Sequence, residues 1–151
     1  MSKHSRLSPS SSNRWVNCPG SVSLIDIALA QDRIKLPKSS YYSDEGTVAH
    51  SLAEQALDKG VDIYKQVGSV VSLTHDVEIT REMCDHVQCY VDFVKGYTDS
   101  ECFGDALAIE EKVSYSEWVP GGFGTVDALF LSPSVITVID LKFGQGVRVE
   151  A

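Results

Sequence analysis

The stretch from Gly122 to Gly144, GFGTVDALFLSPSVITVIDLKFG, limits the fold more than any other part of the chain. Phe123 to Leu131 alternates, with Val126, Ala128 and Phe130 on one face and Asp127, Leu129 and Leu131 on the other. Val135 to Leu141 is rich in β-branched residues, and Ser132-Pro133-Ser134 between the runs is turn chemistry. A symmetric antiparallel hairpin folded about Pro133-Ser134 sets Asp127 opposite Asp140. Cβ atoms of directly opposed residues lie about 4.5–5.5 Å apart, so two ionised carboxylates there need a proton or a cation between them. Lys142 is two residues beyond Asp140 and shares its face. Two acids and an ammonium group together describe a hard-metal site. The plainer alternative is a solvated Asp–Lys surface pair. The apolar run Val135-Ile136-Thr137-Val138-Ile139 favours the site, because a strand of that kind is covered on both sides.

Upstream, Ser43-Asp44-Glu45-Gly46 opens a helix that runs to about Lys59 and stops at Gly60. Its stripe is Ala49, Leu52, Ala53, Ala56 and Leu57. His50 and Glu54 are an i, i+4 pair on one side of it. Either they form a solvated pair, or His50 faces the sheet and adds a nitrogen ligand; the helix alone does not choose. A second long helix is expected from about Val77 to Tyr97, with Met83, Val87, Tyr90, Val91 and Val94 at three- and four-residue steps. Cys84, His86 and Cys89 fall within it at steps that spread them round the surface, so they are read as core or surface residues. Between the two helices, Val61 to Thr74 fits a short helix with a loop or a small hairpin. Leu107 to Val113 is the first strand expected, and either Glu111 or Glu110 turns a further carboxylate to the site. Val147 to Ala151 starts another strand. Ahead of all this, residues 1–13 are Ser-rich and expected to be flexible, Arg14 to Cys18 makes a helical turn, and Ser21 caps a further short helix.

The whole is expected as one domain over 14–151, with helices in 14–98 and the sheet in 105–151. No apolar run nears the ~20 residues of a membrane span, and a secretory signal is not apparent, so a cytoplasmic location in a bacterial host and no membrane partner are expected. Net charge is −8 and the pI about 4.8. That balance disfavours broad binding to a phosphate backbone, leaving Lys3, Arg6, Arg14, Lys142 and Arg148 as the material for a local basic patch.

The ordered set Gly46-Thr47-Val48-Ala49-His50 with Glu54, then Gly124-Thr125-Val126-Asp127, then Asp140-Leu141-Lys142 resembles the RecB-like branch of the PD-(D/E)XK nuclease superfamily. The opening Ser10 to Ser21 looks like the N-terminal signature of phage-encoded members, which are similar to the CRISPR-associated RecB-like exonucleases. The resemblance implies an α/β (α+β) fold with a restriction-endonuclease-like mixed central sheet flanked by helices. It implies a DNA nuclease, exonuclease before endonuclease, working with Mg2+ or Mn2+ in phage recombination or DNA processing. His50, Asp127, Asp140 and the Leu141 carbonyl would hold the metal, Lys142 would activate water and steady the phosphate, and Glu54 and Glu111 are additional acids. Arg14 and Arg148 are the weaker DNA contacts. The family's helix after the DxK motif, with its Gln and Tyr, and the strand that follows it do not appear here. The chain is therefore expected to be a fragment or a short form. The three C-terminal cysteines that join an early cysteine around an iron–sulfur cluster in many relatives are missing as well, so Cys18 is expected to be a small buried residue. Two other classes remain open. One is a catalytically incomplete nuclease fold that binds a host or phage protein, or a second copy, through an unfinished sheet edge. The other is a scaffold in which Asp127, Asp140 and Lys142 are only an ion-pair cluster.

Overall fold

A computed structural model describes residues 5–35, 38–98 and 106–144. Chain contacts divide it into two compact units, residues 1–37 with 112–125 and residues 38–111 with 126–151.

In the first unit a 3-10 turn at Pro9–Ser11 leads into helices α1 (Ser12–Asn17) and α2 (Gly20–Ala30). Within residues 5–13, backbone carbonyls accept side-chain hydrogen bonds. The Trp15 indole donates to the Ser8 carbonyl at 3.0 Å, and the Tyr115 hydroxyl donates to the Leu7 carbonyl at 2.7 Å. The same tyrosine explains a glycine: a Cβ at Gly122 would lie 2.3 Å from its ring. Gly124 admits Pro9 in the same way, with a Cβ there only 2.9 Å from the proline Cγ. Cys18 is exposed, not buried as expected, because it caps the C-terminal end of α1, where its N–H bonds the Arg14 carbonyl.

The second unit begins where Ser40 caps helix α3 (Tyr41–Asp58), its hydroxyl accepting the Ser43 N–H at 3.2 Å. Gly60, at φ 63°, supplies the left-handed residue after the helix. Ala49, Leu52, Ala53 and Ala56 are buried as the stripe requires, and Leu57 is partly so. They pack with Met83, Val87 and Val91 of helix α4 (Arg81–Thr98) in one apolar cluster. The stretch between the helices holds both structures expected as alternatives: a 3-10 turn at Ile63–Gln66, then an antiparallel hairpin of β1 (Val70–Ser72) and β2 (Asp76–Glu78). That hairpin delays α4, which starts at Arg81 and not at Val77; Thr80 caps it, accepting the Met83 N–H at 3.1 Å.

Strands β3 (Ala106–Ser114), β4 (Phe123–Leu131) and β5 (Ile136–Ile139) form a sheet in the order β3-β4-β5, with β4 and β5 antiparallel. Their register pairs Leu131 with Ile136 and Ala128 with Ile139. This is the hairpin centred on Pro133-Ser134, and its pairing stops at Ala128 and Ile139. Ala128 and Phe130 are buried against Val94 of α4, and the Phe130 ring lies 5.3 Å from that of Tyr97. The fold is thus mixed α and β, with four α-helices among the described residues. Residues 145–151, including the strand expected from Val147, lie outside them.

One clamp fixes the front of α3. The buried Asp44 carboxylate accepts the Ser39 hydroxyl at 2.6 Å and the His75 N–H at 2.9 Å, with His75 Nδ1 2.8 Å away. It joins the first helical turn to the β1–β2 connection, 31 residues on. The Ser39 hydrogen bond, with His75 behind it, holds the Asp44 carboxyl below its ordinary 3.8. A lowered carboxylate contributes fully above its unfolded pKa, and the contribution fades as pH falls through the folded value. Asp44→Asn should therefore lower the thermal midpoint at pH 7. Its deficit against the wild type should shrink below pH 3.8, as followed by circular dichroism melts.

Candidate metal centre

Three elements of the second unit each deliver one ligating side chain to the same place. His50 comes from α3, Glu110 from β3 and Asp127 from β4, and one ligand atom of each lies within 4.8 Å of the others. His50 Nδ1 is 3.3 Å from Asp127 Oδ1 and 3.5 Å from Glu110 Oε1. His50 follows Ala49 at the margin of the buried stripe, so its ring leaves the core beside the sheet with 32% of the side chain exposed. Asp127 is more enclosed, at 12%, and its second oxygen accepts the Leu141 N–H at 2.6 Å. That bond straps the end of the hairpin across the site.

Of the two alternatives Glu110 and Glu111, it is Glu110 that joins the group. Its φ is +49°, a left-handed conformation inside a strand. A non-glycine residue held there costs about 1–3 kcal/mol and resets the alternation of the strand. Glu110 thereby joins the cluster, while Glu111 is exposed. Neither strict alternation nor composition marks such a residue in advance.

Asp140 lies beside Lys142. It is not in the ligand group; its Oδ2 lies 2.5 Å from Lys142 Nζ, with the two side chains 49% and 65% exposed. Strand β5 ends at Ile139, so Asp140 no longer follows the pleat that would carry it to Asp127, and its nearest cation takes it instead. Leu141 is buried, and its backbone joins the site through the N–H to Asp127. Glu54 lines the same cleft as His50, Tyr90, Glu110 and Asp127, one helical turn from His50. Arg14 is exposed on α1, and Lys3, Arg148 and Cys102 lie outside the described residues. Cys84 is buried and contacts the Ile63 carbonyl, whereas Cys89 is exposed. Tyr90, read from the sequence as a core residue of α4, also borders the cleft.

Residues 4–151 match the profile of a family described as "Protein of unknown function (DUF2800)". The chain belongs to the DUF2800 family. No solved structure matches it.

The electrostatics of this DUF2800 chain separate its two acids. Burial raises the Glu110 carboxyl, and the charge of Asp127 adds to that. Burial also acts upward on Asp127, but His50 and the Leu141 N–H outweigh it and the net shift is downward. The hydrogen bond to Asp127 raises His50 above its ordinary 6.5. Metal-free, the ring tends to hold a proton between the two acids.

The donor set suits a divalent ion. Ligands bound at about 2.0–2.2 Å sit roughly 3.0–3.5 Å apart round one ion, close to the His50 distances. One imidazole with two carboxylates fits Mn2+ or Zn2+ somewhat better than Mg2+. The proton on His50 must leave first, so binding releases it. Mn2+ affinity should climb with pH, about tenfold per unit below the folded pKa of His50, and level off above it. The stability of the metal-free fold runs the other way. The raised pKa contributes fully below 6.5 and is lost as pH rises through the folded value. Calorimetric titrations at several pH values, beside melts without metal, should show the two opposite slopes.

Proposed function

We propose that this chain is a divalent-metal-dependent deoxyribonuclease of the PD-(D/E)XK type, in its RecB-like branch, acting as an exonuclease. The observation that carries the reading is the convergence of His50, Glu110 and Asp127 from three separate elements, with the charge of Lys142 acting on Asp127 from the Asp140-Leu141-Lys142 segment. Bound there, Mg2+ or Mn2+ supplies a polarised water and positive charge against a phosphodiester. His50, Glu110 and Asp127 hold the ion, and the Leu141 N–H fixes the orientation of Asp127. Lys142 is largely exposed, and its ion pair with Asp140 is the kind of surface contact worth about 0–1 kcal/mol. It can exchange that partner for a phosphate oxygen at little cost. A chain with net charge −8 needs such a local cation, because its overall field repels DNA.

The test is cleavage of end-labelled linear DNA with Mn2+, with a chelator as control. Metal-dependent loss of label from the ends supports the reading, and intact DNA alongside tight Mn2+ binding opposes it.

A second reading has one observation behind it. On β5 and the residue before it, Val135, Ile136 and Val138 are 50%, 70% and 53% exposed. Apolar side chains on a strand at the end of the described sheet order fit a protein partner or a second copy. Sedimentation of the pure chain and capture of a defined partner, set beside the cleavage assay, distinguish the two.

A further inference from the structure

Tyr90 lies on α4 with its ring packed against both apolar clusters of the second unit. Its hydroxyl is buried and has no hydrogen-bond partner among the described residues. A buried hydroxyl left without an acceptor is destabilising, so native folds rarely keep one without a use for it. Tyr90 borders the cleft that holds the carboxylates of Glu54, Glu110 and Asp127 beside His50. Both Asp127 oxygens are engaged, one beside His50 and one on the Leu141 N–H. The contact of Glu110 with His50 runs through Oε1, which leaves Oε2 as an acceptor. Burial and the neighbouring acids keep the phenol protonated, and so a donor.

Building on the metal centre proposed above, we propose that Tyr90 is a positioning residue for it, donating a hydrogen bond to Glu110 once the three ligands close on a divalent ion. Carboxylates that ligate metals are themselves held by hydrogen bonds from behind, and losing one typically weakens metal affinity about 10–100-fold. Without the ion, the left-handed Glu110 does not settle against the phenol, and the hydroxyl remains unpartnered.

The test is Tyr90→Phe in the full chain, which removes the hydroxyl alone. Mn2+ dissociation constants from calorimetry should rise about tenfold or more. The thermal midpoint of the metal-free protein should hold or increase, since an unpartnered buried hydroxyl is gone. In a Glu110→Ala background the same change should have no effect on affinity. If the wild type binds Mn2+ and Tyr90→Phe binds it equally well, the role of Tyr90 is overturned and the metal centre stands. A persisting effect in the Glu110→Ala background overturns the assignment of the acceptor. Should the wild type fail to bind Mn2+, the metal centre falls and this inference with it.

Discussion

Asp127→Asn should abolish Mn2+-dependent cleavage and weaken Mn2+ binding at least about 100-fold, more than the loss of an outer hydrogen bond does. Asp127 is the most enclosed of the three ligands, contacts His50 at 3.3 Å and carries the lowered pKa that keeps it anionic. Asparagine retains an oxygen for the Leu141 N–H, so the end of the hairpin should stay closed and the variant should melt near the wild type. The informative contrast is Asp140→Asn. The sequence ranks the two acids equally, because a symmetric hairpin places them opposite each other. In the structure Asp140 is half exposed and paired with Lys142 outside the ligand group. Its replacement should therefore change Mn2+ affinity far less than Asp127→Asn. Equal losses in the two variants would show that Asp140 reaches the ion after all.

Phe130→Ala should be the most damaging change to the fold, costing about 3–5 kcal/mol. Phe130 is 2% exposed, packs with Val94 and Ala128, and meets the Tyr97 ring at 5.3 Å. Domains of this size are stable by about 5–15 kcal/mol, so the variant would sit near the edge of folding. Strand β4 carries both Phe130 and Asp127, so the loss couples core to site. Urea unfolding should show a much lower midpoint, partly restored by Mn2+ as binding favours the folded form. Leu131→Ala is the control: Leu131 is 44% exposed, and its truncation should cost little.

The hairpin was legible residue by residue because two β-rich runs flank a three-residue turn, and the turn dictates the register. The helix pattern left the direction of His50 open, and it was the resemblance that joined it to Asp127; in the structure the two side chains lie 3.3 Å apart. Alternation left Glu110 and Glu111 as alternatives, because it assumes a regular strand and Glu110 has a φ of +49°. Periodicity does not tell where a strand stops: β5 ends at Ile139, and Asp140, one residue beyond it, is paired with Lys142. The start of α4 was masked by a three-residue strand, too short to show a period. Tyr90 matched the apolar face of its helix so well that its hydroxyl drew no attention.

The most direct test is diffraction from crystals soaked in Mn2+, with anomalous data collected near the manganese edge. The account predicts one strong peak within bonding distance of His50 Nδ1, Glu110 and Asp127, with Lys142 outside the coordination shell. A peak held by Asp140 without Glu110, or none near His50 at a concentration that saturates binding, would contradict it.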